Sequence, residues 1–331
     1  MNSLPFIESI TNKDVLFVST KNIDYIRNTQ EIELLSSTAK SIKIIASKKK
    51  NYFARLCYVY WHFSLALIKK NFDCLFIGFA PQLLFPFIYF FPKNKLIIMD
   101  FFISFYDTLV DDRKKFKDGK FISNVLKKID ALIIHKADIV IADTNAHKKY
   151  FSLTFHFPEE KIEVLYIVAD TSIYKAKPRP KNKRFEVIYF GSILPVQGIE
   201  IILDAMKLLS KDSSIHFTII GPISKKLQIN QDNFPQTSFI PWLSQVELAN
   251  LINQSDLALA GHFSSTVGKA KRTIAGKTYI YKAMNKPVIL GNSPANHELF
   301  KPDSSNIYVD LGNSTELARA IVEQAKLFYR V

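Results

Sequence analysis

Two α/β domains, each a parallel sheet wound on both faces by helices, are predicted by three features of this sequence. Short apolar runs alternate with segments of helical period along the whole chain. The rhythm stops once, at Lys175–Lys183, and then restarts. The 331 residues suffice for two domains of ordinary size, and 48% hydrophobic with 22% charged residues is a globular balance.

The first half reads strand Val15–Ser19, helix around Gln30–Ala39, strand Ile42–Ala46, helix Phe53–Lys69 and strand Cys74–Ile77. A helix from Pro81 and strand Leu96–Met99 come next, then helices around Val110 and Val125. Strand Ile139–Ala142, a helix from Ala146 and strand Ile162–Leu165 close the half. Leu75–Phe91 is nearly uncharged, but Gly78, Pro81, Gln82 and Pro86 interrupt it and it is short for a membrane span. A buried strand followed by a helix explains it better, because proline suits a helix's first turn.

Lys175–Lys183 holds two prolines and five basic residues and is expected as a linker. It divides the chain into domains 1–176 and 177–331. The second half reads strand Phe185–Phe190, helix Ile199–Ser210, strand Ile215–Ile220, helix Gln245–Gln254 capped by Ser244, and strand Leu257–Ala260. Helix Lys277–Met284, strand Val288–Leu290, a short helix near Ala295, strand Ile307–Val309 and helix Thr315–Phe328 follow. Doubly wound sheets place ligands at the carboxyl ends of their strands.

Several function classes lose support. No Gly-x-Gly-x-x-Gly and no Gly-Lys-Ser/Thr motif occurs. The seven histidines are scattered and no Cys/His cluster has ligand spacing, so no metal is expected. Cys57 and Cys74 lie in apolar runs and read as reduced core residues of a cytoplasmic protein. Met1–Asp14 has no basic segment leading into an apolar core, so no secretory signal is expected there. The formal charge of +14 permits nucleic acid, an anionic membrane or phosphorylated small molecules as partners, and compositional bias toward lysine also explains it. No nucleic-acid recognition module accompanies the charge.

Four stretches carry candidate chemistry. In Val187–Ile199 a strand ends at Gly191 and a helix begins after Gly198, so Gly191 and Ser192 can approach a phosphate. The same pattern also fits an ordinary strand–turn–helix. Ser264–Tyr279 places Lys269, Lys271, Arg272 and Lys277 within nine residues and opens a helix. Such a cluster is unfavourable at a helix start unless an anion occupies it. A solvated basic loop is the plainer reading. Asp100–Arg113 follows the fourth strand; Asp100 and Asp107 are candidates to orient or deprotonate a hydroxyl, whereas Asp111 and Asp112 beside Arg113 read as a solvated face. Helix capping is the alternative for this stretch. Ser19–Asn28 follows the first strand and offers Arg27 and Asn28, with Arg27 equally at home on a surface.

The pieces Phe102–Val110, Ala142–His147, Tyr189–Gly198 and Lys286–Pro294 with Glu298 resemble a bacterial family-4 glycosyltransferase, and the resemblance spans nearly the whole chain. It implies the GT-B fold, two Rossmann-like domains with parallel sheets facing across a cleft. It further implies retention of anomeric configuration, no cofactor and no required metal, with the nucleotide-sugar a substrate held mainly by the C-terminal domain. Lys269–Lys277 then matches the diphosphate and sugar loop, Gly191 and Ser192 lie at the phosphates, and Phe239–Trp242, including Pro241, meets the base. Tyr279 and Glu298 join the donor side. Arg27, Asn28, Tyr106, Asp100 and Asp107 stand on the acceptor side. The sequence departs from the family at Ser192 and Gln197, where an Arg and a Lys are usual, and at Arg272 and Ile280, where two glutamates are usual. The family's N-terminal glycine-rich loop is absent. A closing helix usual at the C-terminus is absent too, which would make the chain short or truncated there.

The expected reaction is sugar transfer from a nucleotide-diphosphate donor to a glycan or lipid-linked acceptor in surface polysaccharide synthesis. Arg272 and Lys277 would stabilise the leaving diphosphate, with Lys269 adding charge. Lys48–Trp61 sets cations beside aromatics and suits the cytoplasmic face of an anionic membrane; a basic loop entering a core helix fits it equally. The rival readings are a sugar-nucleotide epimerase and a silent family member partnering another transferase.

Overall fold

The computed structural model describes residues 5–89, 91, 94–178 and 182–330. The chain splits into two compact units, Met1–Ile167 and Val168–Val331. This division falls ahead of the basic stretch expected as a linker. Ile173 and Tyr174 already pack into the core of the second unit, and the Lys177 amide donates to Asn253 Oδ1 at 3.0 Å. Residues 179–181, inside that stretch, lie outside the described residues.

The first unit holds strands β1 (Asp14–Asn22), β2 (Ser41–Ser47), β3 (Cys74–Ile77), β4 (Leu96–Asp100), β5 (Ile139–Ala142) and β6 (Ile162–Val164). They form one sheet in the order β2-β1-β3-β4-β5-β6, and every pairing is parallel. Helices α1 (Pro5–Ile10) and α2 (Ile26–Thr38) cover one face against Val15, Phe17 and Phe76. Helices α3 (Tyr52–Lys69), α4 (Phe85–Tyr89), α5 (Phe121–Ile134) and α6 (Asn145–Phe155) cover the other against Leu16, Leu75 and Met99. Neighbouring strand residues point to opposite faces, so burial on both sides demands the continuous apolar runs seen in the sequence. Asn51 starts α3 by accepting from the Ala54 amide, and Lys70 ends it in the left-handed region at φ 53°.

Three expectations change here. The helix around Val110 is a single π-helical turn, Asp107–Asp112, and Asp112 is buried rather than solvated. The segment from Pro81 opens with a 3-10 turn, Pro81–Leu84, before α4, and Phe90 lies outside the described residues. Cys74 belongs to the core, but Cys57 is exposed, because α3 turns that position away from the sheet. Among the described residues, no helix is long and apolar enough to cross a membrane.

The second unit repeats the plan with β7 (Phe185–Phe190), β8 (Ile215–Ile220), β9 (Thr237–Ile240), β10 (Leu257–Leu259), β11 (Val288–Gly291) and β12 (Asn306–Val309). Their order is β12-β11-β10-β7-β8-β9, again parallel throughout. The helices are α7 (Ile199–Leu208), α8 (Ile223–Lys226), α9 (Gln245–Gln254), α10 (Lys269–Arg272), α11 (Gly276–Ala283), α12 (Pro294–Leu299) and α13 (Ser314–Arg330). Ser244 and Glu247 form a reciprocal capping box at the start of α9. The edge strand β9 had no clear signal, since its residues are only half-buried and alternate weakly.

Strand order places the site. The chain runs outward from β7 through β8 to β9, then returns to lay β10 on the other side of β7. The loops after β7 and β10 therefore diverge at a topological switch point, where doubly wound sheets bind ligands. Between these loops Gly198 sits at φ +64°, and a Cβ there would lie 2.7 Å from the Ser264 amide nitrogen. Gly198→Ala is expected to destabilise the second unit by roughly 2–5 kcal/mol, combining left-handed strain with overpacking. Urea unfolding should show a lower midpoint at unchanged slope; an unchanged midpoint would mean that the two loops separate freely.

Candidate active site

Lys277 occupies the first turn of α11, and its side chain is buried. Its Nζ donates to Gln197 Oε1 and lies 4.5 Å from the centre of the Tyr189 ring. Gln197 also accepts from Tyr189 Oη at 3.4 Å. Two glycines give the ammonium its space. A Cβ on Gly191 would stand 3.1 Å from Nζ, and one on Gly261 would stand 3.0 Å from it. Gly191 ends β7, and Gly261 follows β10, so the amine lies at the switch point itself. Among the described residues no carboxylate pairs with it, and burial lowers its pKa from 10.5 to about 7. A shift of that size corresponds to roughly 5 kcal/mol against the charged form. A group held at such cost beside open backbone is the strongest functional signal in the unit.

The remaining cations stand on the neighbouring segment. Ala270 of α10 packs with Val267 against Val196 of the loop after β7, which sets α10 beside the Gln197 turn. Lys269 and Arg272 are half-buried there, and Lys271 is exposed. His262 Nδ1 lies 3.1 Å from the Thr273 carbonyl oxygen, tying the loop after β10 to the entry of α11. Ser192 is exposed beside Gly191. Glu298 is half-buried on α12, and the Tyr279 ring meets Phe300 at 6.4 Å. Pro241 and Trp242 follow β9; Trp242 is 76% exposed. The structure thus joins Gly191 and Lys277 directly and places α10 next to them, while Pro241 and Trp242 stand two strands away from β7. Gln197, Tyr189 and Gly261 escaped the sequence search as site residues. Tyr189 and Gly261 had only their position at or just beyond a strand end as a signal, and Gln197 had stood out only as a departure from the resembled family.

The first unit gathers charge differently. Arg27 is fully buried and donates from Nε to Asp100 Oδ2 at 2.9 Å and from Nη2 to Asp100 Oδ1 at 3.2 Å. It also donates to the Leu165 carbonyl. Glu31 lies 3.4 Å from the Arg27 Nε. Burial, then Asp100, push the Glu31 carboxyl well above its ordinary range, outweighing Arg27. Arg27 was expected at an acceptor; its guanidinium is instead enclosed by its own unit. Asn28 is likewise internal, accepting from Ser19 Oγ at 3.1 Å and donating to the Asn22 carbonyl at 2.8 Å. Asp100 and Asp107 are buried, and Tyr106 Oη donates to Asp118 at 2.8 Å.

Two further groups were not anticipated. His147 is buried, with Nδ1 2.6 Å from Asp143 Oδ1 and Nε2 3.6 Å from Asp107 Oδ2. Burial alone lowers its pKa, but Asp143 and Asp107 more than offset this and raise it. Asp130 of α5 accepts from the Tyr106 amide at 2.8 Å, Ser104 Oγ at 2.7 Å and Gln82 Nε2 at 2.7 Å. Burial raises its pKa to about 6 despite these donors. Asp130 therefore fixes the loop that follows β4. The i,i+4 spacings Arg27/Glu31 and Asp143/His147 were the available signals. Among the described residues, no group of three or more His, Cys, Asp or Glu is placed to hold a metal ion.

Comparison with known proteins agrees with this layout. Residues 184–326 match the family model described as glycosyl transferases group 1. No curated protein matches the chain. Among solved structures, HepE of Anabaena in complex with UDP is 15% identical, with 95% of this chain and 92% of that chain covered and a TM-score of 0.66. A further HepE complex holds UDP-glucose. Sucrose-phosphate synthase of Thermosynechococcus elongatus is 11% identical over 95% of this chain and 91% of its own, with a TM-score of 0.70. The lipopolysaccharide outer core galactosyltransferase WaaB is 12% identical over 94% and 91%, with a TM-score of 0.55. These likenesses show the fold: two Rossmann-like α/β units of the GT-B glycosyltransferase type.

Two substitutions separate the roles of the buried charges. The Lys277 pKa falls on folding, so the native state loses its proton between about pH 7 and 10.5 while the unfolded chain keeps it. Its cost is therefore full below pH 7 and fades as pH rises. Lys277→Met should stabilise the protein by roughly 2–5 kcal/mol at neutral pH, and by less at pH 10, in urea titrations. Asp100→Asn should do the reverse, costing about 3–5 kcal/mol, because it leaves Arg27 beside a neutral partner inside the first unit. Stabilities that respond with the opposite signs would overturn both assignments.

Proposed function

Starting from the group 1 glycosyltransferase domain in the second unit, we propose that this protein transfers a sugar from a nucleotide-diphosphate donor to a glycan or lipid-linked acceptor, with retention of anomeric configuration. The observation that carries this reading is the buried Lys277 amine, which has no carboxylate partner among the described residues at the switch point of that domain. A donor diphosphate supplies the missing anion. UDP-sugars are the first donors to test, because the HepE complexes hold UDP and UDP-glucose. Bacterial surface glycans are the acceptor class to test, given the outer-core activity named for WaaB.

In the proposed mechanism the bond between the sugar C1 and the diphosphate oxygen breaks while an acceptor oxygen bonds to C1 on the same face. The acceptor proton passes to the departing phosphate oxygen. Lys277 hydrogen-bonds the leaving diphosphate and stabilises the charge that develops on it, with Lys269 and Arg272 adding positive charge from α10. Gly191 and Ser192 bring backbone and hydroxyl to the phosphates, and Gln197 keeps Lys277 aimed. Pro241 and Trp242 take the base side, with Glu298 and Tyr279 flanking the donor. In the first unit Asp107 and Tyr106 border the acceptor, and Asp100 with Arg27 holds their support rigid.

Donor affinity is the direct test. Calorimetry without metal should show binding of one nucleoside diphosphate. Its affinity should weaken by up to about tenfold per pH unit above pH 7, with proton uptake on binding, because the bound diphosphate restores the ammonium. Lys277→Met should abolish that uptake, and Arg272→Ala should lower turnover by about 10²–10³. Binding that ignores pH and survives Lys277→Met would sink the assignment of the site.

A further inference from the structure

The outer layer of the first unit carries a surface that sugar transfer does not use. Helices α3, α4, α5 and α6 all cover one sheet face. On α3, Arg55, Val59, Phe63 and Ala66 form the inward stripe. At 3.6 residues per turn, Phe53, Trp61 and Ile68 then stand on the opposite side, and they are 77%, 67% and 77% exposed. On α5, Ser123, Asp130, Ile133 and Ile134 face inward, which turns out Phe121 (82% exposed) and Leu132 (51% exposed). Exposed apolar side chains of this size, repeated on two helices of one layer, mark an interaction surface rather than scattered single residues.

Charge and shape select the partner. Across the four helices the sequence has one acidic residue, Asp130, and it is buried. Lysines stand around the apolar side chains: Lys48–Lys50 before α3, Lys69 and Lys70 at its end, Lys127 and Lys128 within α5. The helices offer no exposed carboxylate to a basic partner and many cations to an anionic one. At one end of the layer a cavity of about 480 Å³ is lined by Leu67, Phe72, Pro86 and Phe87 together with Lys70 and Lys95. Apolar walls next to two ammonium groups match an acyl chain beneath an anionic head.

We propose that this face of α3–α6 docks on an anionic lipid bilayer, with Trp61 and Ile68 entering the headgroup–acyl boundary and the lysines contacting headgroups. The protein lies on the bilayer with these helices in its plane, since an amphipathic layer of this kind buries one side only. This inference stands on the first unit alone and does not depend on which sugar is transferred.

The test is co-sedimentation of the full chain with phosphatidylcholine vesicles, with and without phosphatidylglycerol. Binding is expected only with phosphatidylglycerol present, weakening at high salt. Trp61→Ser with Ile68→Ser should reduce it by about tenfold or more while circular dichroism stays unchanged. Lys127→Glu with Lys128→Glu, which leaves the apolar side chains in place, should reduce it at low salt. In a Trp242→Phe background the Trp61 emission should shift blue on anionic vesicles and stay constant on neutral ones. Absence of partitioning to any vesicle would overturn the proposal. So would a concentration-dependent dimer that the Trp61/Ile68 pair abolishes, since that assigns the face to a second copy of the chain.

Discussion

The ammonium of Lys277 enters the second unit from the start of α11 and meets an amide oxygen and a tyrosine ring where most buried lysines meet a carboxylate. Much of the local architecture follows from keeping that charge in place without neutralising it. A Cβ on Gly191 would stand 3.1 Å from Nζ, and Gly261, at φ +80°, leaves room for both Gln197 Oε1 and Nζ, which a Cβ there would meet at 2.5 and 3.0 Å. The Gln197 turn is held against α10 by Val196, Val267 and Ala270, so the acceptor that orients Lys277 cannot swing away. Gly198 then lets the chain turn into α7 at φ +64°, where a Cβ would stand 2.7 Å from the Ser264 amide nitrogen of the neighbouring loop. Apart from that small apolar cluster, these features cost folding stability or conformational freedom and add nothing to the core. That imbalance is characteristic of a site shaped for an anionic ligand.

The first unit resolves its buried charges internally. Four carboxyl groups, Glu31, Asp100, Asp107 and Asp143, lie with the Arg27 guanidinium and the His147 imidazole. Burial, then Asp100, push the Glu31 carboxyl toward its neutral form, which lessens the crowding of negative charge around Arg27. Arg27 bonds at once to β4, through Asp100, and to the Leu165 carbonyl just beyond β6. The result is a braced platform under the loop 102–107. A network satisfied in this way specifies geometry and contributes little net stability, because desolvation offsets the Coulombic gain. The two units therefore use buried charge differently: among the described residues, the second leaves Lys277 without a carboxylate partner, and the first sets its charged groups against one another.

Sequence periodicity captured the alternation of strands and helices because parallel sheets bury both faces, and that leaves unbroken apolar runs such as Cys74–Ile77 and Val288–Gly291. The edge strand β9 escaped because Thr237–Ile240 is only half-buried and lacks such a run. The basic cluster at 269–277 was visible as a cluster, yet nothing in the sequence distinguished buried Lys277 from exposed Lys271. That difference arises only when α11 turns one side chain under β7 and β10. Arg27 illustrates the converse. A lone arginine after a first strand looks like a surface group, and its enclosure depends on Asp100, which is remote in sequence but close in space. Asp130 was hidden for the same reason: a carboxylate inside an otherwise apolar helix is identified as a clamp only once Ser104, Tyr106 and Gln82 are seen around it.

The departures from the family pattern at Ser192 and Gln197 acquire a physical meaning from this geometry. A lysine at 197 would set a second ammonium against that of Lys277, in a place where one already shifts to a pKa of about 7 through burial. Glutamine offers the same reach with an accepting oxygen. Gln197 and Lys277 are thus complementary: the loop after β7 supplies the accepting oxygen, and the first turn of α11 supplies the positive charge. Arg272 and Lys269 stand on α10, packed against that same loop, so positive charge remains concentrated near the ends of β7 and β10. The proposed diphosphate site thus keeps both a positive charge and a group that aims it without an arginine at 192 or a lysine at 197.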